Sequence, residues 1–451
     1  MRKTETMKQK LRQLFVILIP ILITQLAMYS MNFFDTMMSG NYARADLAGV
    51  AIGSSLWVPV STGLAGILIA LTPITAHLIG AKKKDEVPFS VIQGIYVAIT
   101  MAIIVMAAGK LLLNTILNHM NLEHHVELVA KHYLYFLAIG IIPLFIYNVL
   151  RSFIDSLGMT RISMVITLSS LPVNVFLNYI FIFGHLGCPA FGGAGSGLAT
   201  AITYWLITIF AAVVIHFRHP FSAYRIFTKW TAPSYTKWKE IFSLGIPMGL
   251  SIFFETSIFS AVTLLMSSFG TVVIAAHQAA MNFASFLYML PLSMSMAMTI
   301  VVGFETGASR FKDAKDYSKI GIAFALLLSA FAGFMLFLFR IQVAGMYSTD
   351  HQVIKLTARF LLFAVFFQLS DAIQAPVQGA LRGYKDVNVT FLMALISYWA
   401  IGLPLGCLLA NETSLGAYGY WIGLITGLAA GAITLSSRLY IIQNRTLQKS
   451  I

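Results

Sequence analysis

Apolar residues run along this chain in long unbroken stretches, interrupted by short polar clusters and never in strand-like alternation. Splitting it at charge clusters and at Gly, Pro and Asn breaks leaves twelve such stretches. They cover 11–38, 46–78, 89–117, 130–153, 161–184, 194–217, 240–267, 274–305, 316–340, 353–379, 388–410 and 416–440. A helix crosses the hydrocarbon core with about 20 apolar residues, and each stretch is long enough. A spanning barrel would instead show segments of roughly ten residues that alternate between polar and apolar. The pattern predicts an all-α polytopic membrane protein with twelve transmembrane helices.

Composition sharpens this. The 451 residues are 58% hydrophobic and 10% charged, with a mean hydropathy of +0.81. Soluble domains carry about 25% charged residues, so a water-soluble or disordered chain is excluded. The net charge of +13 reflects basic residues in short loops between apolar stretches, which argues for membrane orientation and not for nucleic acid. With the N-terminus in the cytoplasm, the cytoplasmic segments hold 24 of the 30 Lys and Arg. The outer side keeps Arg44, Lys110, Lys131, Arg340, Lys355 and Arg359. Both termini are therefore expected in the cytoplasm. The first stretch follows Arg2, Lys3, Lys8, Lys10 and Arg12 and has no small-residue cleavage site, so it reads as a span and not as a signal peptide. Cys188 and Cys407 lie near span ends, outside any CxxC, and read as small packing residues.

The chain also resembles itself. "IPILITQL" at Pro20 matches "IPMGLSIF" at Pro247, and the same shift of 227 residues sets Gly80 on Gly307. "DSLGMTR" at Gly158 pairs with "ALRGYKD" at Gly383. This predicts an N-terminal six-helix lobe (1–218), a basic cytoplasmic linker (219–239) and a C-terminal six-helix lobe (240–451). Parallel repeats of this kind place a substrate path at their interface. Gly423, Gly427 and Gly431, and likewise Gly245 and Gly249, form small-residue ridges for close helix packing. Pro20, Pro59, Pro172, Pro247, Pro291 and Pro404 fall inside spans, where each removes a ladder hydrogen bond.

Three carboxylates stand well inside spans: Asp35, Glu255 and Asp371. Each costs roughly 2.5–3.5 kcal/mol at the bilayer centre, so a cation or proton path is the default reading. Glu255 follows Phe253 and Phe254, an apolar setting that disfavours a bare charge. Asp155 and Glu305 sit near cytoplasmic ends. In the first half, Asn174 and Asn178 share one face of the fifth span, and Thr200 and Thr203 lie on the sixth. With Asp35 they form an oxygen-rich set suited to Na⁺ or a proton relay, or equally to gluing helices together. Met281, Met289, Met294, Met296 and Met298 crowd the eighth span with Phe286 and Tyr288, a wall suited to greasy cations or to lipid. His277, Gln278 and Met281 are weaker substrate-cavity candidates. The histidines, among them His77, His124 and His125, lack metal-ligand spacing. No HExxH, GxSxG or Walker-type GxxxxGK[ST] occurs, so ATP is not the expected energy source.

With these residues in place, the chain resembles the multidrug and toxic compound extrusion family over its whole length, in particular its bacterial NorM-type branch. The carrying motifs are "NFFDTMMSG", "PVNVFLNYIFIFG", "GGAGSGLATA", "FFETSIF", "AAHQAAMNF" and "LRGYKDV". The resemblance implies twelve helices in two bundles and export of lipophilic organic cations, driven by Na⁺ or H⁺. It implies a cation-coupling site at Glu255, Asp371 and Tyr288, and a second at Asp35, Asn174, Asn178 and Thr200. No cofactor and no transition metal is expected; Na⁺ would be cargo at the coupling residues. The expected partners are small organic cations and membrane lipid, with no nucleic acid, and the protein is expected to act as a monomer in the plasma membrane. Alternatives are a flippase for lipid-linked oligosaccharides, which would want a cationic cavity, and an intramembrane enzyme, which would need a nucleophile or metal constellation. A channel is disfavoured by the repeat.

Overall fold

A computed structural model of the protein describes residues 1, 3–120, 122–228 and 230–448; Arg2, Lys229 and Lys449, counted above among the basic loop residues, lie outside these. The described residues form helices joined by short turns and loops, with no strand among them. Eleven helices or continuous helix pairs are long and apolar enough to cross a membrane, and one bent pair makes a twelfth. The first half comprises α1 (Met7–Tyr42), α2 (Arg44–Leu68), α3 (Leu71–Gly80), α4 (Glu86–His119), α5 (His124–Ala138), α6 (Ile141–Ser156), α7 (Thr160–Phe183) and α8 (Ala194–Phe217). The second comprises α9 (Tyr235–Met266), α10 (Thr271–Gly307), α11 (Phe311–Tyr347), α12 (His351–Gly383), α13 (Asn388–Leu395), α14 (Leu403–Glu412) and α15 (Ala417–Gln448).

Breaks refine the predicted spans. The fourth, expected as one helix over 130–153, is the pair α5 and α6, bent by 49° at Ile139–Gly140. At the bend Gly140 lies against the backbone of Ala201 on α8, where any side chain would collide. Between α13 and α14 the helix widens into a π-helical stretch, Ile396–Gly402. Pro404 follows immediately and offers no N–H to the preceding turn, so the ladder shifts register there. Pro376, inside α12, is a further in-span proline.

The chain divides into two compact units, one of Ile19–Gly249 and one of Met1–Leu18 with Leu250–Ile451. In the first, Tyr133 of α5 fits a notch formed by Gly53 of α2 and Gly197 of α8, with its hydroxyl 3.2 Å from Ser54 Oγ. The glycine-rich segment before α8 has a separate task. Gly193 N–H donates to Asp46 Oδ1 at 2.5 Å, and Gly192, at φ +60°, leaves room for that carboxylate. Gln93 of α4 holds the segment ahead of α9, accepting from Ser234 N at 2.8 Å and from Trp238 Nε1 at 3.0 Å.

In the second unit, α12 crosses α10 at Gly379, whose missing side chain lets the backbone of Ser295 approach; Thr299 Oγ1 donates to the Gly379 carbonyl at 3.1 Å. The glycine ridge of α15 works as its spacing suggests. Gly423 meets Gly402 and Gly406, Gly427 meets Ser397, and Gly431 meets Gln374 of α12. Near the start of the chain, Lys10 Nζ bridges Asp313 (2.8 Å) and Asp316 (2.6 Å) of α11, and the Thr4 and Tyr317 hydroxyls lie 3.1 Å apart.

Candidate functional site

The site of the second unit grows from three elements. α9 presents Glu255, 8% exposed; α12 presents Asp371, 2% exposed; and the π-helical stretch presents Tyr398, 1% exposed. The wide turn is fastened to α9 by Trp399 Nε1, which donates to the Phe254 carbonyl at 3.1 Å. That contact brings the neighbouring Tyr398 hydroxyl to Glu255 Oε1 at 3.3 Å. Tyr398 has one proton and directs it at Glu255, so it can only accept from its other neighbour, and Gln374 Nε2 donates to it. The Gln374 carbonyl oxygen is thereby turned towards Gly431, buried and without a partner. A methyl group at 431 would lie 2.6 Å from it, so the glycine is what admits this amide.

Tyr288 of α10 and Gln378 of α12 flank the same carboxylate, and Arg382 lies within its electrostatic reach. Arg382 is 7% exposed and donates to Gln378 Oε1 at 3.4 Å. Asp371, Gln374, Gln378 and Arg382 follow one another at helical spacings of three and four, a single polar stripe on α12. Asp371 is within electrostatic reach of Glu255, yet no hydrogen bond or ion pair to it is formed among the described residues. On the adjacent turn Gln368 Nε2 donates to the Leu287 carbonyl at 3.0 Å, leaving its own oxygen buried and unpartnered.

The first unit carries a closed ring. Asn178 Nδ2 of α7 donates to Asp35 Oδ1 at 2.6 Å and to Asn174 Oδ1 at 3.1 Å. Asn174 Nδ2 donates to Thr200 Oγ1 of α8 at 3.1 Å, and Thr200 donates to Asp35 Oδ2 at 2.9 Å. The four expected residues are thus brought together, with Asp35 on α1. Thr203 stands apart, its hydroxyl turned to the Ala199 carbonyl at 2.8 Å. Asn178 Oδ1 is buried with no donor, an open acceptor beside a carboxylate.

Comparing the buried carboxylates separates two kinds. Asp155 faces Arg151 at 3.4 Å and accepts from Ser163 at 2.5 Å; Glu305 takes Arg310 at 2.5 Å; Asp46 takes the Gly193 amide and lies 3.6 Å from His125. Asp35, Glu255 and Asp371 have no cationic side chain within 4 Å among the described residues. A buried carboxylate left in this state strongly favours a proton or a cation.

The weaker cavity candidates do not form one group. His277 is fully buried, its Nε2 3.1 Å from Thr263 Oγ1, and it packs edge-on against the stacked pair Phe360 and Trp421. Gln278, the next residue, is exposed, and Met281 packs half-buried on the core. One helical step of 100° separates neighbouring side chains, which is why the pair diverges. The methionines divide similarly: Met294 and Met298 are buried against protein, while Met281, Met289 and Met296 are half-buried. Sequence reasoning missed Tyr398, Gln374 and Gln378, and placed Arg382 in a loop. The stripe of polar residues on α12 was the available signal.

The MatE family model matches the chain twice, over residues 20–180 and 247–408, starting at the two prolines that the internal repeat pairs. The chain belongs to the MatE family. Over 449 residues it is 59% identical to the "Probable multidrug resistance protein NorM" of Bacillus subtilis (strain 168), covering 100% of this chain and 99% of the relative. It is 58% identical to the protein of that name from Bacillus licheniformis, over 99% of this chain and 98% of the relative. In structure it is similar to a eukaryotic MATE transporter, AtDTX14, with TM-score 0.87, 20% identity and coverage of 98% and 99% of the two chains. It is equally similar to a multidrug resistance MATE family transporter of the MOP superfamily in an outward-facing conformation: TM-score 0.87, 18% identity, 98% and 100% coverage. Membership in MatE makes the chain a multi-pass membrane transporter of the twelve-helix MATE fold, and not an enzyme.

Proposed function

We propose that this MatE transporter exports lipophilic organic cations, among them drugs and dyes, by antiport against Na⁺ or H⁺. Glu255, Asp371 and Tyr288 are assigned to cation coupling in the second unit, and Asp35, Asn174, Asn178 and Thr200 in the first. The observation that carries this reading is the set of three buried carboxylates without an ion-pair partner, beside others of the same burial that have one. An unpaired acid in oil is unstable when bare and settled when loaded, so loading and unloading a small cation shifts the balance between conformations. An organic cation satisfies the same charge, so the two cargoes exclude or alternate with each other, each lowering the other's affinity. One unit charge moving down 100 mV contributes about 2.3 kcal/mol to the cycle. The multidrug resistance names of relatives at 55–59% identity support the drug-export direction. The reading includes a plasma-membrane location, both termini in the cytoplasm, two six-helix lobes and action as a monomer.

The test is ethidium efflux from everted membrane vesicles under separately imposed Na⁺ and proton gradients. Efflux driven by either gradient supports the reading. Glu255→Gln and Asp371→Asn are expected to reduce that efflux at least tenfold, a loss of about 1.4 kcal/mol or more of coupling, while inserting normally. Full efflux in both variants would remove the second-unit site from the proposal.

A further inference from the structure

The order of charges along α12 carries an inference about how many ions the second-unit site takes. It rests on the reading just given and goes beyond it. At 1.5 Å of rise per residue, Gln378 lies about 10 Å along the axis from Asp371 and about 6 Å from Arg382. Gln378 flanks Glu255, so Glu255 stands between the other two groups, nearer to the arginine. The charged groups facing the pocket are Glu255 from α9, and Asp371 and Arg382 from α12; Tyr288 from α10 and Tyr398 from the π-helical stretch complete its titratable lining. Two acids and one base leave a single negative charge uncompensated.

We infer that Arg382 is a tethered counter-cation that sets the pocket at minus one, so that it takes one monovalent cation per cycle, loaded at Asp371. The geometry divides the labour between the acids. Glu255 accepts from Tyr398 and has the guanidinium one relay residue away, through Gln378. The Gln378 amide nitrogen is buried beside Glu255, short of a fully formed hydrogen bond, so a small movement of that side chain completes one while its oxygen keeps Arg382. Asp371 has neither a donor nor a base. A buried charge without compensation is the costly member of such a set, and it is the one that a mobile cation relieves most. The plain alternative is that Arg382, in the last turn of α12, only complements that helix's C-terminal dipole. The two roles differ in what they do to ion dependence.

The test is ethidium efflux from proteoliposomes holding the full-length protein, with NaCl varied against choline chloride at fixed pH, and pH varied without Na⁺. For the ion that drives efflux, the wild type is expected to show a Hill slope of about one, the number of loading sites. Arg382→Gln raises the pocket to minus two. Its slope is expected to rise towards about two, and its half-saturating concentration to fall about fivefold. That is the effect on Asp371 of one unit charge roughly 16 Å away through an effective dielectric near 20. Arg382→Lys keeps the charge and is expected to keep the wild-type slope. The decisive variant is the pair Glu255→Gln with Arg382→Gln, which restores minus one. It is expected to regain about tenfold more efflux than Glu255→Gln alone. A wild-type slope and half-saturation in Arg382→Gln overturns the inference. So does a double variant as inactive as Glu255→Gln although recovered monodisperse at wild-type yield. Retained efflux in Glu255→Gln and Asp371→Asn singly would instead overturn the parent assignment, so the two failures are distinguishable.

Discussion

Replacing Tyr398 by phenylalanine removes one oxygen from the pocket and nothing of its shape. Two interactions go with it: the donation to Glu255 Oε1 at 3.3 Å and the acceptance from Gln374 Nε2. The Gln374 oxygen is already without a partner, so both ends of a fully buried amide are then unsatisfied. A hydrogen bond to a charged group contributes about 1.5–3 kcal/mol, and an orphaned buried donor costs about 1–3 kcal/mol. The long 3.3 Å contact argues for the lower end of the first range. The two losses act on different equilibria. The orphaned amide destabilises every conformation in which α12 and α15 stay packed, and so lowers thermal stability by a few degrees at most in a chain of this size. The lost donor to Glu255 destabilises only the state in which that carboxylate is bare. About 1.4 kcal/mol there is a tenfold shift towards the cation-bound state. The expected result is a half-saturating concentration of the coupling cation about tenfold lower, with a slower maximal rate because release becomes uphill. Dye efflux from proteoliposomes as a function of the driving cation measures both. Half-saturation within twofold of wild type, in a variant with unchanged yield and melting temperature, would refute the view that Tyr398 stabilises the bare carboxylate.

Three further outcomes are expected. Asp35→Asn keeps the size of the group but weakens the acceptors of the ring that Asn178 and Thr200 feed, and is expected to slow efflux about tenfold, the effect of one charge-assisted hydrogen bond; unchanged kinetics would reduce the ring to helix glue. Gly379→Leu forces α12 away from the Ser295 carbonyl of α10 and is expected to destabilise by about 3 kcal/mol or more, read as a lower melting temperature in detergent. Thr299→Val, which removes only the hydroxyl at that crossing, should cost about 1 kcal/mol. Equal melting temperatures for wild type and Gly379→Leu would show that the crossing is looser than its geometry.

Taken alone, the order of residues determined what lipid demands. A segment that crosses hydrocarbon must satisfy its own backbone and expose apolar side chains over about 20 residues, so twelve spans and an all-α fold are written as uninterrupted runs. Expensive exceptions within those runs are equally visible, which is why Asp35, Glu255 and Asp371 stood out. That Asn174 and Asn178 would act together was legible too, because four-residue spacing sets both amides on one helix face, whereas nothing in the spacing separated Thr200, which joins the ring, from Thr203, which does not. Tertiary structure decided what depends on which way a side chain turns near a span end. Arg382 reads in sequence like any loop arginine; only the packing of α12 against α9 and α10 turns it inward, towards Glu255. His277 and Gln278 are neighbours that part company on the helix, one into an aromatic core and one outward. Tyr398 reaches its glutamate because a proline six residues later shifts the ladder by one residue, and Gln374 fits because a glycine on α15 leaves it space. Periodicity reports the demands of the solvent on a single helix, whereas charge compensation is a property of several helices at once, and that is where the two sources of information divide.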